Sequence, residues 1–377
     1  MIGELYDYVV GVDTHRDFHV AAIVASPSGG LIESARFTAD AGGYEDAVAW
    51  VEERTGCDAN TRCWAIEGTG SYGAGFAGRL DGDDETVYEI DRPNRPSRRL
   101  GHDKNDHEDA VRAARDLIGE NRPARPRSGA LGDEFRILSR TREGAVSQRT
   151  AVICQMKAAI VIAPEELRSE LRPAIEGRGR SYNRLVDACA ALGDRCSTDT
   201  EGSCDCSDQR ACAYRLSFSL MARRIEALSA EIDELDRRLD ERTRTEAPGL
   251  RAQSCVGPVV TAVLVSTWST QGRFDGEAAF SKAVGTSPIE ANSGQTVGRH
   301  RLNRGGDRRA NAAIHRIVIG RIQRQQETRD YIDRRCADGK TRREASRCLA
   351  RYVSRAMYRL LESGDAFKHP QNLVETP

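Results

Sequence analysis

The chain has 377 residues, enough for two or three domains, with 56 basic and 57 acidic residues and a net charge of −1. Its apolar content of 39% is ordinary for a soluble protein, and no apolar run is long enough to span a membrane. Residues 1–5 lack the basic and apolar segments of a secretory signal, so we expect a cytoplasmic protein whose eleven cysteines are mostly reduced.

The first half of the sequence predicts an α/β domain. Three strands come first, at Tyr8–Val12, Phe18–Ala25 and Leu31–Thr38. Helices at about 43–54, 72–80 and 105–118 then alternate with strands at 62–67 and 85–90. Three leading strands followed by this alternation predict a mixed sheet with helices on its faces, the order of a ribonuclease-H-like domain. The proline-rich residues 123–127 mark its end.

Residues 131–247 predict an elongated helical arm. Its clearest part is a seam of apolar residues whose gaps alternate between four and three, the heptad pattern of a coiled coil. The seam consists of Tyr214, Phe218, Met221, Ile225, Leu228, Ile232, Leu235 and Leu239. A weaker apolar pattern runs from 131 to 162. A coiled-coil arm that dimerises and an antiparallel helical hairpin inside one subunit both fit these patterns.

A cysteine-rich connection lies within the arm, between residues 189 and 212. Clustered thiols bind Zn²⁺ when they occur in closely spaced pairs, and the usual C-x₂-C pairs are missing here. We therefore favour an unliganded loop over a Zn²⁺ site, for which the candidate ligands would be Cys196, Cys204, Cys206 and Cys212.

The remainder predicts a mainly helical C-terminal domain. A glycine turn at 255–262 resembles a helix-hairpin-helix element, whose backbone N–H groups hold a DNA phosphate, although ordinary helix capping would explain it too. A helix should begin near Asp307, with Ile314, Ile317, Val318 and Ile322 on its buried side. We predict domains at 1–122, 128–247 and 248–362, followed by a flexible tail at 363–377.

The charges are unevenly divided along the chain. Residues 1–120 contain 24 acidic and 12 basic side chains, whereas residues 299–359 contain 17 arginines and one lysine against six acidic side chains. Such asymmetry favours an acidic N-terminal part that binds metal ions and a basic C-terminal part that binds a polyanion. A solvated arginine-rich surface would give the same composition, so composition alone leaves both interpretations open.

Four acidic residues suggest a metal-dependent reaction. Asp13 and Glu67 each end an apolar strand, and Asp106 and Asp109 share one face of a helix because they are three residues apart. Clustered carboxylates suit Mg²⁺ or Mn²⁺, and two such ions support phosphodiester chemistry. Helix capping would explain the helical pair well but Glu67 poorly. Lys104, just before the helix, would contact a phosphate or remain a solvated loop lysine.

Three sequence blocks resemble the motif blocks of the DEDD transposases of bacterial insertion sequences, a family that includes the Piv-type DNA invertases. The blocks are Gly11-Val12-Asp13, Glu67-Gly68-Thr69-Gly70-Ser71-Tyr72 and Lys104-Asn105-Asp106-His107-Glu108-Asp109-Ala110. The C-terminal half is also similar, with Phe274, Pro288, Ser293-Gly294, an Arg-Gly-Gly segment and an Ala-Asn-rich helix. The resemblance covers about residues 8–120 and 246–325. Many relatives have a lysine where this chain reads Thr14-His15-Arg16, which leaves the roles of His15 and Arg16 open.

The resemblance implies a RuvC-like N-terminal domain and a second domain whose serine attacks DNA. Ser293 would be this nucleophile and would form a transient phosphoserine bond, activated by the four carboxylates and Mg²⁺. The implied partners are DNA at the element ends and at the target, a structured guide (bridge) RNA, and further copies of the chain in a homodimer or homotetramer. Ser287 and Ser281 compete with Ser293 on spacing alone. Nearby arginines would bind phosphates: Arg299, Arg301, Arg304, Arg308 and Arg309.

Three other functions remain to be weighed. A Mg²⁺-dependent RuvC-like structure-specific endonuclease would need the carboxylates but would form no covalent intermediate. An actin-like ATPase or sugar kinase would need further glycine-rich phosphate loops, which the sequence lacks. In a non-catalytic nucleic-acid-binding protein, Asp13→Ala and Glu67→Ala would leave every activity intact.

Overall fold

The structure is a computed structural model that describes residues 1–90, 105–176, 182–194, 208–290, 300–302 and 306–368. It divides the chain into two compact units. Unit 1 comprises Met1–Phe135 and Thr243–Pro377, and unit 2 comprises Arg136–Arg242. The domain limits expected from the sequence, 1–122, 128–247 and 248–362, stay predictions.

A mixed five-stranded sheet forms the first part of unit 1, with the strand order β3–β2–β1–β4–β5. The strands are β1 Tyr8–Thr14, β2 Phe18–Ala25, β3 Gly30–Thr38, β4 Arg62–Glu67 and β5 Val87–Ile90. β2 pairs antiparallel with β1 and β3, whereas β4 pairs in parallel with β1 and β5. The predicted α/β domain with three leading strands is therefore confirmed.

Helices cover both faces of this sheet. They are α1 Ala41–Thr55, α2 Ala74–Gly82 and α3 Asp106–Ile118. On one face, Val10, Val12 and Trp64 join a fully buried core with residues of α1 and α2. On the other face, Val9 and Ala65 pack with residues of α3. Burial on both faces explains why β1 and β4 read as nearly continuous apolar runs instead of alternating ones.

Helix α3 lies unusually close to the central strand β1. A Cβ atom added at Gly11 would come within 2.0 Å of the carbonyl oxygen of Ala110 and 2.6 Å of the backbone nitrogen of Ala114. Only glycine fits there, and alanines on the facing side of α3 permit the approach. This packing fixes the first turn of α3 beside the end of β1.

Unit 2 is helical. Helices α4 Ala130–Ile162, α5 Glu165–Glu176, α6 Asn183–Asp194 and α7 Gln209–Glu246 make up this part of the chain, with the ends of α4 and α7 belonging to unit 1. Arg142 Nη2 lies 3.0 Å from Asp236 Oδ2, and Arg149 Nη1 lies 3.2 Å from Ser229 Oγ. Since the partner number falls as the residue number rises, α4 and α7 run antiparallel.

Six of the eight residues of the predicted heptad seam are buried in this helical hairpin, and Tyr214 and Leu228 are half-buried. Phe218, Met221 and Ile225 pack with Met156 of α4 in one apolar core. Their burial within a single chain agrees with the hairpin alternative, and the coiled-coil arm that dimerises stays a prediction. Cys189 belongs to the same core, whereas the candidate Zn²⁺ ligands Cys196, Cys204 and Cys206 lie outside the described residues.

The rest of unit 1 is mainly helical. Its elements are α8 Pro248–Arg251, α9 Pro258–Trp268, α10 Glu277–Ala283, β6 Pro288–Glu290, β7 His300–Leu302, α11 Arg308–Arg324, α12 Gln326–Ala337 and α13 Arg342–Glu362. α8 and α9 flank the predicted glycine turn, and Asp307 caps α11 as expected. Ile314, Ile317 and Val318 are fully buried on the predicted face of α11. None of the helices in the described part of the chain is long and apolar enough to cross a membrane.

Candidate active site at the carboxyl ends of the central strands

Two of the predicted carboxylates follow the central strands side by side. In the parallel pair of β1 and β4, Val12 lies opposite Ile66, so Asp13 and Glu67 are neighbours at the carboxyl ends. Side chains alternate between the faces of a strand. Because Val9 and Ala65 face α3, the same alternation directs Asp13 and Glu67 toward the face that carries α3.

The other two carboxylates lie in the first turn of α3. Asn105 caps the helix, its side chain accepting a hydrogen bond from the backbone N–H of His107 at 3.1 Å. The close approach of α3 at Gly11 brings this turn to the end of β1. Asp106 therefore reaches the same edge of the sheet as Asp13, although more than 90 residues separate them in the sequence.

Three side chains converge closely at this edge: Asp13, His15 and Asp106. Each offers one ligand atom, and these atoms lie within 4.8 Å of one another. His15 Nε2 lies 3.0 Å from Asp13 Oδ2 and 3.4 Å from Asp106 Oδ1. The side chains of Asp13 and Asp106 are 14% and 32% exposed, so the group is open to a ligand without being fully solvated.

Glu67 and Asp109 lie outside this close group. The backbone carbonyl of Glu67 accepts a hydrogen bond from Thr14 Oγ1 at 3.0 Å, which ties the ends of β4 and β1 together. The carboxylate of Asp109 pairs with Arg112, one turn further along α3. In the described part of the chain, the close group of possible ligand atoms contains two of the four predicted carboxylates, Asp13 and Asp106.

His15 is the member of the group to which sequence reasoning assigned no role. Its backbone N–H donates to the carbonyl of Phe18 at 3.1 Å, and its ring lies against the Phe18 ring at a centroid distance of 4.6 Å. The turn between β1 and β2 therefore fixes the imidazole beside the carboxylates. Burial lowers the pKa of the nearby His19, whose Nδ1 lies 3.4 Å from the backbone nitrogen of His15. The sequence feature that could have identified His15 is its position two residues after Asp13, the aspartate at the end of an apolar strand.

The donor set fits a divalent cation. Two carboxylate oxygens are the ligands that Mg²⁺ and Mn²⁺ prefer, and an imidazole nitrogen is accepted by Mn²⁺ and other transition ions. Asp13 and Asp106 would supply oxygen ligands to the ion, and the partial exposure of the group would leave room for water or a phosphate oxygen in the remaining positions.

Several predicted site residues fall outside the described residues: Lys104, Ser293, Arg299 and Arg304. Arg301 lies in β7, of which only the backbone is described. The competitor Ser281 is fully buried, its Oγ lying 3.0 Å from Ser354 Oγ and accepting a hydrogen bond from Arg351. A hydroxyl enclosed in this way cannot reach DNA, so Ser281 is a poor nucleophile candidate. Ser287 is half-buried.

Helix α11 carries exposed arginines along its length. Arg308, Arg316 and Arg324 are exposed at intervals of eight residues, while Arg309 is half-buried. Eight residues make about 2.2 helical turns, so each of these arginines is rotated by about 80° around the helix from the one before it. The three cations therefore spread over the exposed part of the helix, where each is accessible to a phosphate.

A short linker at residues 123–127, between α3 and α4, contacts both the sheet and the C-terminal half of unit 1. Strand β5 donates the Glu89 N–H to the carbonyl of Ala124 at 2.8 Å, and the Arg125 N–H donates to the carbonyl of Arg273 at 2.8 Å. The guanidinium of Arg273, 3% exposed, donates to the carboxylate of Glu89. The two halves of the unit are therefore held together by both backbone and charged contacts.

The side chain of Arg127, the last residue of this linker, lies between strand β5, the turn after Glu67 and the start of α11. Its Nε lies 3.7 Å from Glu89 Oε1, and its Nη2 lies 3.6 Å from Asp307 Oδ2, the residue that caps α11. A Cβ added at Gly70 would lie 3.2 Å from Arg127 Cδ, so the stem of Arg127 runs along the turn that follows Glu67.

Two family models match the chain in the regions that carry these features. A transposase model of the DEDD type of IS110 matches residues 10–163, and a model described as the transposase IS116/IS110/IS902 family matches residues 250–333. The chain belongs to the IS110 family of DEDD transposases. A search of curated proteins finds no significant match.

The matches show which parts of the transposase follow the family pattern. The first includes Asp13, Glu67, Asp106 and Asp109 and continues through α4, beyond the limit of about 120 that the motif blocks suggested. The second covers the segment that contains Ser293 and helix α11. Residues 164–249, which hold the cysteine-rich connection, lie outside both matches.

Proposed function

We propose that this transposase cuts and rejoins DNA strands at the ends of an insertion sequence and at its target. Asp13, Glu67, Asp106 and Asp109 would hold Mg²⁺ or Mn²⁺, and Ser293 would be the nucleophile. The observation that carries the proposal is the convergence of Asp13 and Asp106 at the strand ends, in a chain whose two halves both match transposase models.

The proposed reaction exchanges one phosphodiester bond for another. The Ser293 hydroxyl gives up its proton, its Oγ–phosphorus bond forms, and the bond from phosphorus to one DNA oxygen breaks. The departing oxygen takes up a proton, and the other strand end stays attached as a phosphoserine. Attack by a hydroxyl of a second DNA strand reverses these steps and joins the new strands.

The chain's own residues have distinct tasks in this scheme. A bound divalent ion would supply positive charge beside the phosphate and its attacking and departing oxygens. Asp13 and Asp106 would position that charge, and Glu67, which follows the strand that pairs with β1, would support them. Lys104 and the arginines at 299, 301, 304, 308 and 309 would hold the flanking phosphates.

Guidance by a structured RNA is part of the proposal. If base pairing with a guide RNA selects the DNA sites, the protein needs to recognise mainly backbone and shape. The exposed arginines of α11 suit that division of labour, because phosphate contacts position a nucleic acid but carry no direct sequence information.

Assembly into a homodimer or homotetramer is also proposed. One side of α4 carries small residues whose gaps alternate between three and four: the half-buried Gly144 and the exposed Ser147, Ala151, Cys154 and Ala158. This is coiled-coil spacing on a face that the hairpin does not use. Ile137 and Ile162, 58% and 64% exposed, extend it with apolar surface. A second copy of α4 could pack there, since small side chains allow helices to approach closely.

The decisive experiment is the trapping of a covalent adduct. The protein is incubated with Mg²⁺, the RNA encoded beside its gene and DNA that spans an element junction, and protein–DNA species are separated under denaturing conditions. We expect an adduct with the unmodified protein and with Ser287→Ala, and none with Ser293→Ala, which should still bind DNA. An adduct that persists in Ser293→Ala would exclude Ser293 as the nucleophile.

The same experiment separates the alternatives. A RuvC-like endonuclease would cut the DNA without any adduct, and its cutting would survive Ser293→Ala. A non-catalytic binding protein would neither cut nor form an adduct, and Asp13→Asn would change nothing. A transposase should lose both cutting and joining in Asp13→Asn while keeping its affinity for DNA.

A further inference from the structure

The imidazole of His15 is placed like a metal ligand. Its Nε2 is 3.0 Å from Asp13 Oδ2 and 3.4 Å from Asp106 Oδ1, so the same nitrogen faces both carboxylates. A side chain that only stabilised Asp13 would need a contact with that carboxylate alone. Because His15 Nε2 faces both carboxylates, the three atoms form a triangle of donors around a space in which a cation can bind.

The surrounding structure holds the ring in this position. The Phe18 ring packs against the imidazole, and the backbone hydrogen bond from His15 to Phe18 fixes the turn that carries it. The side chain is 24% exposed, so the ring is not sealed from solvent. A ligand whose orientation is fixed by packing loses little freedom when the ion binds.

We propose that His15 is a ligand of the divalent ion, together with Asp13 and Asp106, and that the site binds Mn²⁺ in preference to Mg²⁺. A site with both nitrogen and oxygen ligands accepts first-row transition ions, of which Mn²⁺ is one, whereas Mg²⁺ binds oxygen almost exclusively. The inference rests on the proposed function, because it gives the ion of that reaction a nitrogen ligand in addition to its carboxylates.

Direct metal binding by the full-length protein tests this without any reaction. Free Mn²⁺ is measured by electron paramagnetic resonance, and Mg²⁺ by its competition with Mn²⁺. We expect His15→Gln to weaken Mn²⁺ binding by about tenfold or more, a loss typical even of residues that merely support a ligand. Mg²⁺ binding should weaken less, so the preference for Mn²⁺ should shrink.

A spectroscopic signature identifies the nitrogen itself. Pulsed electron paramagnetic resonance of the Mn²⁺-loaded protein should show coupling to a ¹⁴N nucleus, and His15→Gln should lose it. His107→Gln is the matched control, since His107 is adjacent to Asp106 but bonds to Ser34 through Nδ1 at 2.8 Å. The control should keep both the coupling and the affinity. Circular dichroism checks that each variant is folded.

The outcomes distinguish this inference from the proposed function. If His15→Gln binds both ions as the unmodified protein does, or keeps the nitrogen coupling, His15 is not a ligand and the proposed reaction is unaffected. An equal loss of Mn²⁺ and Mg²⁺ would make His15 a support for the carboxylates, which also overturns the inference. If the unmodified protein binds neither ion, the metal-dependent reaction itself fails.

Discussion

Arg273 and Glu89 form a charged pair between the C-terminal half of unit 1 and strand β5, at the edge of the sheet. Their side chains are 3% and 14% exposed, and Arg273 also donates to the backbone carbonyls of Arg125 and Thr267. The pair joins residues that are 184 positions apart in the sequence. The pair thus links the α/β part and the helical part of unit 1, which form one compact unit.

Loss of this pair should destabilise unit 1 as a whole. Arg273→Ala leaves the carboxylate of Glu89 buried with less compensation, which typically costs about 3–5 kcal/mol of unfolding free energy. Denaturant unfolding followed by circular dichroism measures it. Arg122→Ala is the control, because its pair with Asp275 is mostly exposed and should contribute little. Equal stability of the two variants would contradict the coupling of the two halves.

Asp13→Asn should abolish strand cleavage while DNA binding is kept. The substitution preserves shape but removes the charge that holds the ion, so we expect the cleavage rate to fall at least about a hundredfold. Cleavage of labelled junction DNA and a binding assay under the same conditions measure both effects. Asp17→Asn is the control, since Asp17 lies in the same turn but is 79% exposed and beside Arg16. A similar loss in both variants would argue against a specific role for Asp13.

The sequence was sufficient to predict the sheet and part of the site. Burial on both faces of β1 and β4 leaves a clear apolar signal, and a carboxylate directly after such a run stands out, as Asp13 and Glu67 do. His15 carries no comparable signal, because a turn residue has no periodicity and its position depends on where α3 brings Asp106. The pairing of Arg273 with Glu89 was equally inaccessible, since nothing local to either residue identifies a partner so distant in the chain.

Two buried cysteines should resist alkylation at a pH at which an exposed one reacts. Burial raises the pKa of Cys63 and of Cys189 to about 12, so both remain protonated at pH 8 and at pH 9. The thiolate is the reactive form. Exposed Cys57 should therefore react with iodoacetamide, and faster as the pH rises from 7 to 9. Site-resolved mass spectrometry measures each rate, and guanidinium chloride should remove the difference. Rapid native labelling of Cys63 would show that the sheet opens.

The raised pKa of the buried Cys63 thiol also predicts a loss of folding stability at alkaline pH. The Cys63 thiol has a pKa of about 12 in the folded state and of 9.0 in the unfolded state, so its contribution to stability is complete only below about pH 9. Between these values the unfolded state loses the proton first, so the stability contribution of Cys63 falls as the pH rises. Cys63→Ala should reduce the slope of unfolding free energy against pH above 9, whereas Cys57→Ala should not.

The exposed arginines of α11 should contribute to the salt dependence of nucleic-acid binding. A plot of log affinity against log salt concentration becomes steeper by about one for each phosphate that the protein neutralises. Replacing Arg308, Arg316 and Arg324 together by alanine should therefore reduce the slope by about one for each of them that contacts a phosphate. Fluorescence anisotropy at several salt concentrations measures the slope. Gln323→Ala, an exposed neutral position on the same helix, is the control. An unchanged slope in the triple variant would exclude these arginines as phosphate contacts.

Charges placed on the small-residue face of α4 should prevent its pairing with a second copy. Ala151→Glu combined with Ala158→Glu puts like charges along the centre of the exposed heptad-spaced face, where two copies would have to approach. We expect the molar mass from light scattering to fall by half or more, while circular dichroism is unchanged. Thr150→Glu with Lys157→Glu is the matched control, because both residues are exposed on α4 about 100° around the helix from that face. A fall in mass in the control alone would place the interface on that other side, and no change in either variant would exclude α4 from assembly.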